Sequence, residues 1–162
     1  MDNQTEVNNL TLADLVDSNI ISHGFVYYKR DYYFHLDTIL QGDFAGQFIL
    51  LFKHCYELNY LTNLDAIILK NSWSDIFINL KTLQDNGEPD GYHWAAGLNA
   101  FPGFSVVQNS AKAQVWTEKL GQTMSELLVE TDFTLNLIFH SWTLKKIDKS
   151  ADLLNYLTYP VE

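Results

Sequence analysis

One cysteine, three prolines and, among ten basic residues, a single arginine are present in this sequence. Each scarcity excludes something. Cys55 has no partner for an internal disulfide, which suits a reducing compartment, and a cytoplasmic location is expected. Arg30 is the lone arginine and the lysines are scattered, whereas nucleic-acid binders cluster Lys and Arg against phosphates and use Arg to read guanine. No nucleic-acid partner is therefore expected. No apolar run approaches the ~18 residues of a membrane span, and no Lys or Arg precedes Lys29, so a basic-then-apolar leader is not expected either. The motifs G-x-S-x-G, P-loop, G-x-G-x-x-G and H-E-x-x-H are missing, as are closely paired zinc ligands. Neither a cofactor nor a metal is expected. The loop from Asp85 fails as a calcium loop, because its third and fifth positions are Gly87 and Pro89 and its twelfth is Ala96.

What is present describes one globular domain spanning 1–162. At 162 residues, with 47% hydrophobic and 19% charged residues, the chain can bury about 68–70% of its extended surface without staples. The formal net charge is −10, and the acids come in stretches free of bases. Asp2, Glu6, Asp14 and Asp17 precede Tyr28; Asp85, Glu88 and Asp90 lie between Lys81 and Lys112; Glu126, Glu130 and Asp132 lie between Lys119 and Lys145. Such a surface keeps a small protein soluble, or else meets a basic partner whose association it steers. It repels anionic lipid, so no membrane partner is expected.

The hydrophobic period is mostly two. Tyr32, Phe34 and Leu36 alternate with Tyr33, His35 and Asp37, predicting a strand. The segment Gly42-Asp43-Phe44-Ala45-Gly46 reads as a tight connection, followed by a strand over Phe48 to Lys53 that continues in the same style through Leu61. Ser74 to Leu80 also alternates, and Gly97 and Phe101 to Phe104 suggest irregular or short-strand structure. Glu126 to Glu130 and Phe133 to Leu144 read as a hairpin turning near Thr131-Asp132. Three short helices are expected: one opened by the capping box Thr11-x-x-Asp14, one over Ala111 to Leu120 between Ser110 and Gly121, and one capped by Ser150. The fold class is α+β: a strand-dominated antiparallel sheet, sandwich- or barrel-like, with two or three short peripheral helices.

Chemistry-bearing residues are few. His35 and Asp37 share a strand face about 6–7 Å apart, which is either a polar pair on a wet face or the seed of a metal or acid–base site. Cys55 adjoins His54, but strand neighbours point to opposite faces, so a core cysteine is the expectation. An enzyme would need His35, Asp37, Cys55 or His140 to converge in a cleft. Trp73, Tyr92 and Trp94 either fill the core or form an aromatic platform for a small molecule or carbohydrate.

Three stretches, Gln41-Gly42-Asp43-Phe44-Ala45-Gly46, Phe52-Lys53-His54-Cys55-Tyr56-Glu57-Leu58 and Leu137-Ile138-Phe139-His140-Ser141, together resemble the YxiG-like group of small acidic proteins of Gram-positive bacteria. Some members of that group look like immunity proteins beside toxin genes. The resemblance implies a cytoplasmic bacterial protein with a partner-binding role. The leading expectation is a non-enzymatic, immunity-type acidic inhibitor that covers a basic protein surface, using Asp85, Glu88 and Asp90 with Tyr92 and Trp94 as anchors. The alternatives are the small-ligand domain and an enzyme of unknown class.

Overall fold

The computed structural model describes residues 10–27, 30–40, 43–63, 98–100, 103–131 and 133–148. Within them, nine strands form two antiparallel sheets. Strands β1 (Asn19–Val26), β2 (Asp31–Leu40), β3 (Asp43–Lys53), β5 (Leu98–Asn99) and β9 (Ser141–Ile147) make a five-stranded sheet in the order β5-β1-β2-β3-β9. Strands β4 (Glu57–Thr62), β6 (Phe104–Val106), β7 (Ser125–Glu130) and β8 (Phe133–Phe139) make a four-stranded sheet in the order β4-β8-β7-β6. Neither sheet closes into a barrel among the described residues.

The alternation seen in the sequence produces one shared core. Tyr32, Phe34 and Leu36 of β2 and Leu50 and Phe52 of β3 pack with Phe133, Leu135, Leu137 and Phe139 of β8, joined by Leu127 and Val129 of β7. Ring pairs knit the layers: Phe52 meets Phe139 at 4.8 Å and Phe34 meets Phe104 at 5.0 Å, both edge-on. Leu12 and Leu15 of a 3-10 turn (Leu12–Leu15) join the same core.

Several expectations are corrected. The segment Asp43 to Gly46 is strand, not connection: the register slips by one residue opposite Thr38 and Ile39, and Gly46 takes φ +122. A glycine in that conformation lets β3 bulge without ending. The run through Leu61 is broken at His54, whose φ of 54 turns the chain from one sheet to the other. Asp31 captures the His54 N–H at 3.0 Å, and Cys55 N donates to the Arg30 carbonyl at 2.7 Å, so the crossing is held by side chain and backbone together. The arm from Phe133 to Leu144 likewise breaks at His140, where the chain returns to the five-stranded sheet. His140 N donates to the Lys53 carbonyl at 3.0 Å, placing the two crossings side by side with the His54 and His140 rings 5.9 Å apart. Strand β1 was not foreseen, because a bulge at Ile21 shifts its register against β2 and spoils its alternation.

The second predicted helix is α1 (Ala111–Leu120), with the expected caps: Ser110 Oγ accepts from Ala113 N at 3.1 Å, and Gly121 at φ 63 donates its N–H to the Thr117 carbonyl at 2.9 Å. The first is only the four-residue 3-10 turn. There the expected capping box of Thr11 and Asp14 is present, with the Asp14 carboxylate accepting from both Thr11 N and Thr11 Oγ1 at 2.7 Å. The strand at Ser74 to Leu80 and the helix after Ser150 lie outside the described residues. No helix among the described residues is long and apolar enough to cross a membrane.

Candidate functional site

Among the described residues, the outward face of the four-stranded sheet is roofed over only part of its area. Residues paired across an antiparallel ladder share a face, so Glu57, Ile138 and Glu126 form one outward row, Asn59, Asn136 and Leu128 the next, and Leu61, Thr134 and Glu130 the third. Helix α1 covers the first row. Ala113 packs with Met124 and Ile138, and Trp116 lies against them. Trp116 Nε1–H donates to Glu57 Oε2 at 2.9 Å, and Lys112 Nζ lies 3.5 Å from Glu57 Oε1. The indole hydrogen bond, ahead of the lysines, holds the Glu57 carboxyl below the usual range. The buried Glu126 carboxylate accepts from Ser110 Oγ on one oxygen and from Asn136 Nδ2 at 3.0 Å on the other.

Beyond the helix no described element covers the sheet. Asn59, Leu61 and Glu130 are exposed, and Leu61 keeps 57% of its surface in solvent. Glu130 is the only charged side chain on the two uncovered rows. The open area ends at β4, an edge strand among the described residues, and its sequence carries neither lysine nor proline. Such residues are the usual guards of an exposed edge, which otherwise accepts a further strand. Asn63 anchors the end of the strand, donating to the Thr131 carbonyl and accepting from Thr134 Oγ1, each at 3.0 Å.

On the inward side of the same edge, the core reaches the surface between β1 and β4. His23 stacks with Phe133 at 5.1 Å and Phe34 at 5.6 Å, and Tyr60 stacks with Phe133 at 5.1 Å. His23 Nδ1 lies 2.6 Å from the Tyr32 hydroxyl. Burial pushes the His23 imidazole down and the Tyr32 phenol well up. The pair is therefore neutral near pH 7, joined by one hydrogen bond whose direction follows the imidazole tautomer. Phe25, 43% exposed and edge-on to Tyr32 at 4.9 Å, and Tyr60, 42% exposed, form the lips of this aromatic rim. Sequence reasoning missed it because His23 and Phe25 sit on the unforeseen β1.

The four residues that an enzyme reading would need to converge are placed apart. His35 and Asp37 share the outward face of the five-stranded sheet, as their spacing requires. The pair itself is not wet: His35 is buried, and its Nδ1 and Asp37 Oδ1 are both shielded from solvent without a hydrogen-bond partner. Each such orphan costs about 1–3 kcal/mol. Cys55 is half-buried against the shared core and donates to the Phe52 carbonyl at 3.3 Å. Burial pushes its thiol up to about 12, aided by the Asp31 charge and opposed by a backbone hydrogen bond, so it is no nucleophile near neutrality. His140 is exposed at the sheet crossing, with Nδ1–H donating to the Thr123 carbonyl at 2.9 Å. No group of three His, Cys, Asp or Glu side chains among the described residues is placed to hold a metal. The predicted partner-binding residues Asp85, Glu88, Asp90, Tyr92 and Trp94, and Trp73, lie outside the described residues.

The family of YxiG-like proteins matches residues 4–157 of the sequence. This chain belongs to that family. The match runs through both sheets, the helix and the two crossings. No curated protein matches this YxiG-like sequence.

Proposed function

We propose that this YxiG-like chain is a cytoplasmic, non-enzymatic protein-binding domain of the immunity type, a sandwich-like acidic inhibitor that covers a basic partner surface. The observation that carries the reading is the sheet that the described residues only half roof: an exposed Leu61 in one row with Thr134 and Glu130, on rows without a base, ending at β4, an edge strand among the described residues. An apolar anchor on rows whose one charge is acidic suits a cationic polypeptide, and the net charge of −10 steers it in. The acidic loop Asp85, Glu88 and Asp90 with Tyr92 and Trp94 belongs to the same reading as a second contact surface.

The test is affinity capture from host lysate at low and high salt, with mass-spectrometric identification, using the wild type and Leu61→Arg. The reading expects one basic, toxin-like protein that is lost at high salt and lost with Leu61→Arg. Retention of the same partner by that variant would remove the sheet from the interface. Retention by Asp85→Asn/Glu88→Gln/Asp90→Asn would remove the loop.

A second reading, a small-molecule or carbohydrate-binding domain, is favoured by the aromatic rim at His23, Phe25 and Tyr60. It expects a sugar or aromatic compound in a thermal-shift screen to stabilise the wild type and not Tyr60→Ala. Equal stabilisation of both would dismiss the rim.

A further inference from the structure

A sheet edge accepts a further strand unless something blunts it, and three of the four edges among the described residues are blunted. Strand β5 is two residues long, and the part of β1 beyond it begins with the bulge at Ile21. Strand β6 is three residues long. Strand β9 presents Lys145 and Lys146, both exposed. Strand β4 differs from all three. It runs six residues, pairs with β8 from Glu57 to Thr62 without a slip in register, and contains neither lysine, proline nor glycine. Its one charge, Glu57, stands at its first position and is engaged by Trp116 and Lys112. Along its length Tyr60 is 42% exposed and Leu61 57%, and as strand neighbours they occupy opposite faces.

A regular edge with a large apolar side chain exposed on each face is suited to strand addition. The two faces say which strand fits. Every second side chain of an added strand falls beside Tyr60 on the inward side, where Phe25 is also 43% exposed, so this series is apolar. The other series falls beside Asn59 and Leu61, on rows whose one charge is Glu130. A base placed there meets no base on those rows, and a chain of net charge −10 draws a cationic segment more readily than a second copy of itself. We propose that β4 takes an extended segment of a basic protein partner as a fifth strand of its sheet, with apolar side chains toward Tyr60 and lysine or arginine on the outward side. This inference rests on the partner-binding reading above and names how that partner docks.

The experiment titrates the isotope-labelled full chain with the capped peptide acetyl-Lys-Val-Lys-Val-Lys-Val-amide and follows it by NMR. The expected result is that the amides of residues 57–62 shift first and exchange more slowly with solvent. Only alternate peptide N–H groups face the edge, so N-methylating either the valines or the lysines should weaken binding at least tenfold while the other set is tolerated. Asn59→Lys, which puts a base on β4, should weaken binding at least tenfold, whereas Thr143→Lys, the same charge on β9, should leave it unchanged. Equal binding by both N-methylated peptides would mean docking without strand pairing, and this inference would fall while the basic-partner reading stood. Equal binding by the Glu-Val counterpart would refute the cationic partner, and this inference with it. Shifts centred away from β4, or no binding at millimolar peptide, would overturn strand addition. So would a dimer of the wild type in sedimentation that Asn59→Lys abolishes, because a second copy would then be the occupant.

Discussion

Replacing Ser110 by alanine should cost far more than an ordinary helix cap. The hydroxyl works in two directions: it accepts from Ala113 N at 3.1 Å, closing the first turn of α1, and it donates to Glu126 Oε2. Losing an N-cap costs about 0.5–2 kcal/mol. Glu126 is only 7% exposed, so its stranded oxygen adds roughly 1.5–3 kcal/mol, the range for hydrogen bonds to charged groups. The sum, roughly 2–5 kcal/mol, corresponds to a fall in Tm of about 4–20 °C for a domain of this size. Urea unfolding followed by circular dichroism measures it. Ser110→Thr keeps both bonds and should stay within ~1 kcal/mol of the wild type. Ser110→Asp can cap the helix but sets a second carboxylate against Glu126, so it should not rescue. A loss below ~0.5 kcal/mol for Ser110→Ala, or full stability for Ser110→Asp, would refute the two-way role.

Three further outcomes are expected. The Cys55 thiol titrates near 9 when unfolded and near 12 when folded. A raised folded value means that the native state holds its proton longer, so stability is complete below pH 9 and declines between pH 9 and 12. Cys55→Ala should flatten that alkaline slope in urea midpoints measured from pH 8 to 11, and native Cys55 should react with a thiol reagent at pH 8 far more slowly than in urea. Because Trp116 holds the Glu57 carboxyl down, its hydrogen bond should survive acidification past the normal glutamate range and be lost only as pH falls through the depressed value. Trp116 emission should report that step, and Glu57→Gln should abolish it. Finally, Asp31→Ala removes the acceptor of the His54 N–H at the sheet crossing and should cost about 1.5–3 kcal/mol. Asp31→Asn keeps an oxygen there and should cost less by the same urea assay.

Legibility followed locality. Helix α1 was read nearly residue for residue because Ser110, a run of helix formers and Gly121 are sufficient local instructions. The alternation in β2 and β8 announced both the strands and their core faces, since a period of two needs no knowledge of the partner strand. Strand β1 was illegible because its bulge breaks that period, and the bulge exists only relative to β2. The breaks at His54 and His140 were read as continuous strand. A histidine at φ 54 carries no turn signature, and the crossing is held by Asp31 and Lys53 from elsewhere in the chain. The candidate sites fared similarly. The spacing of His35 and Asp37 puts them on one face, but the burial of His35 and of Asp37 Oδ1 is not legible in it, and the His23–Tyr32 contact depends on the register of β1 against β2.

The sequence by itself determined that this chain is strand-dominated, acidic and free of internal disulfides. It also determined which side of β2, β3 and β8 is apolar, because composition and period are properties of the chain alone. Only the tertiary structure decided which strands left one sheet for the other and which half of a sheet a ten-residue helix left bare. It also put two polar atoms of β2, seemingly bound for water, out of water's reach. Those outcomes rest on pairing between residues far apart in sequence. Cross-strand register and layer packing set the solvent exposure of each side chain, and no local pattern encodes that.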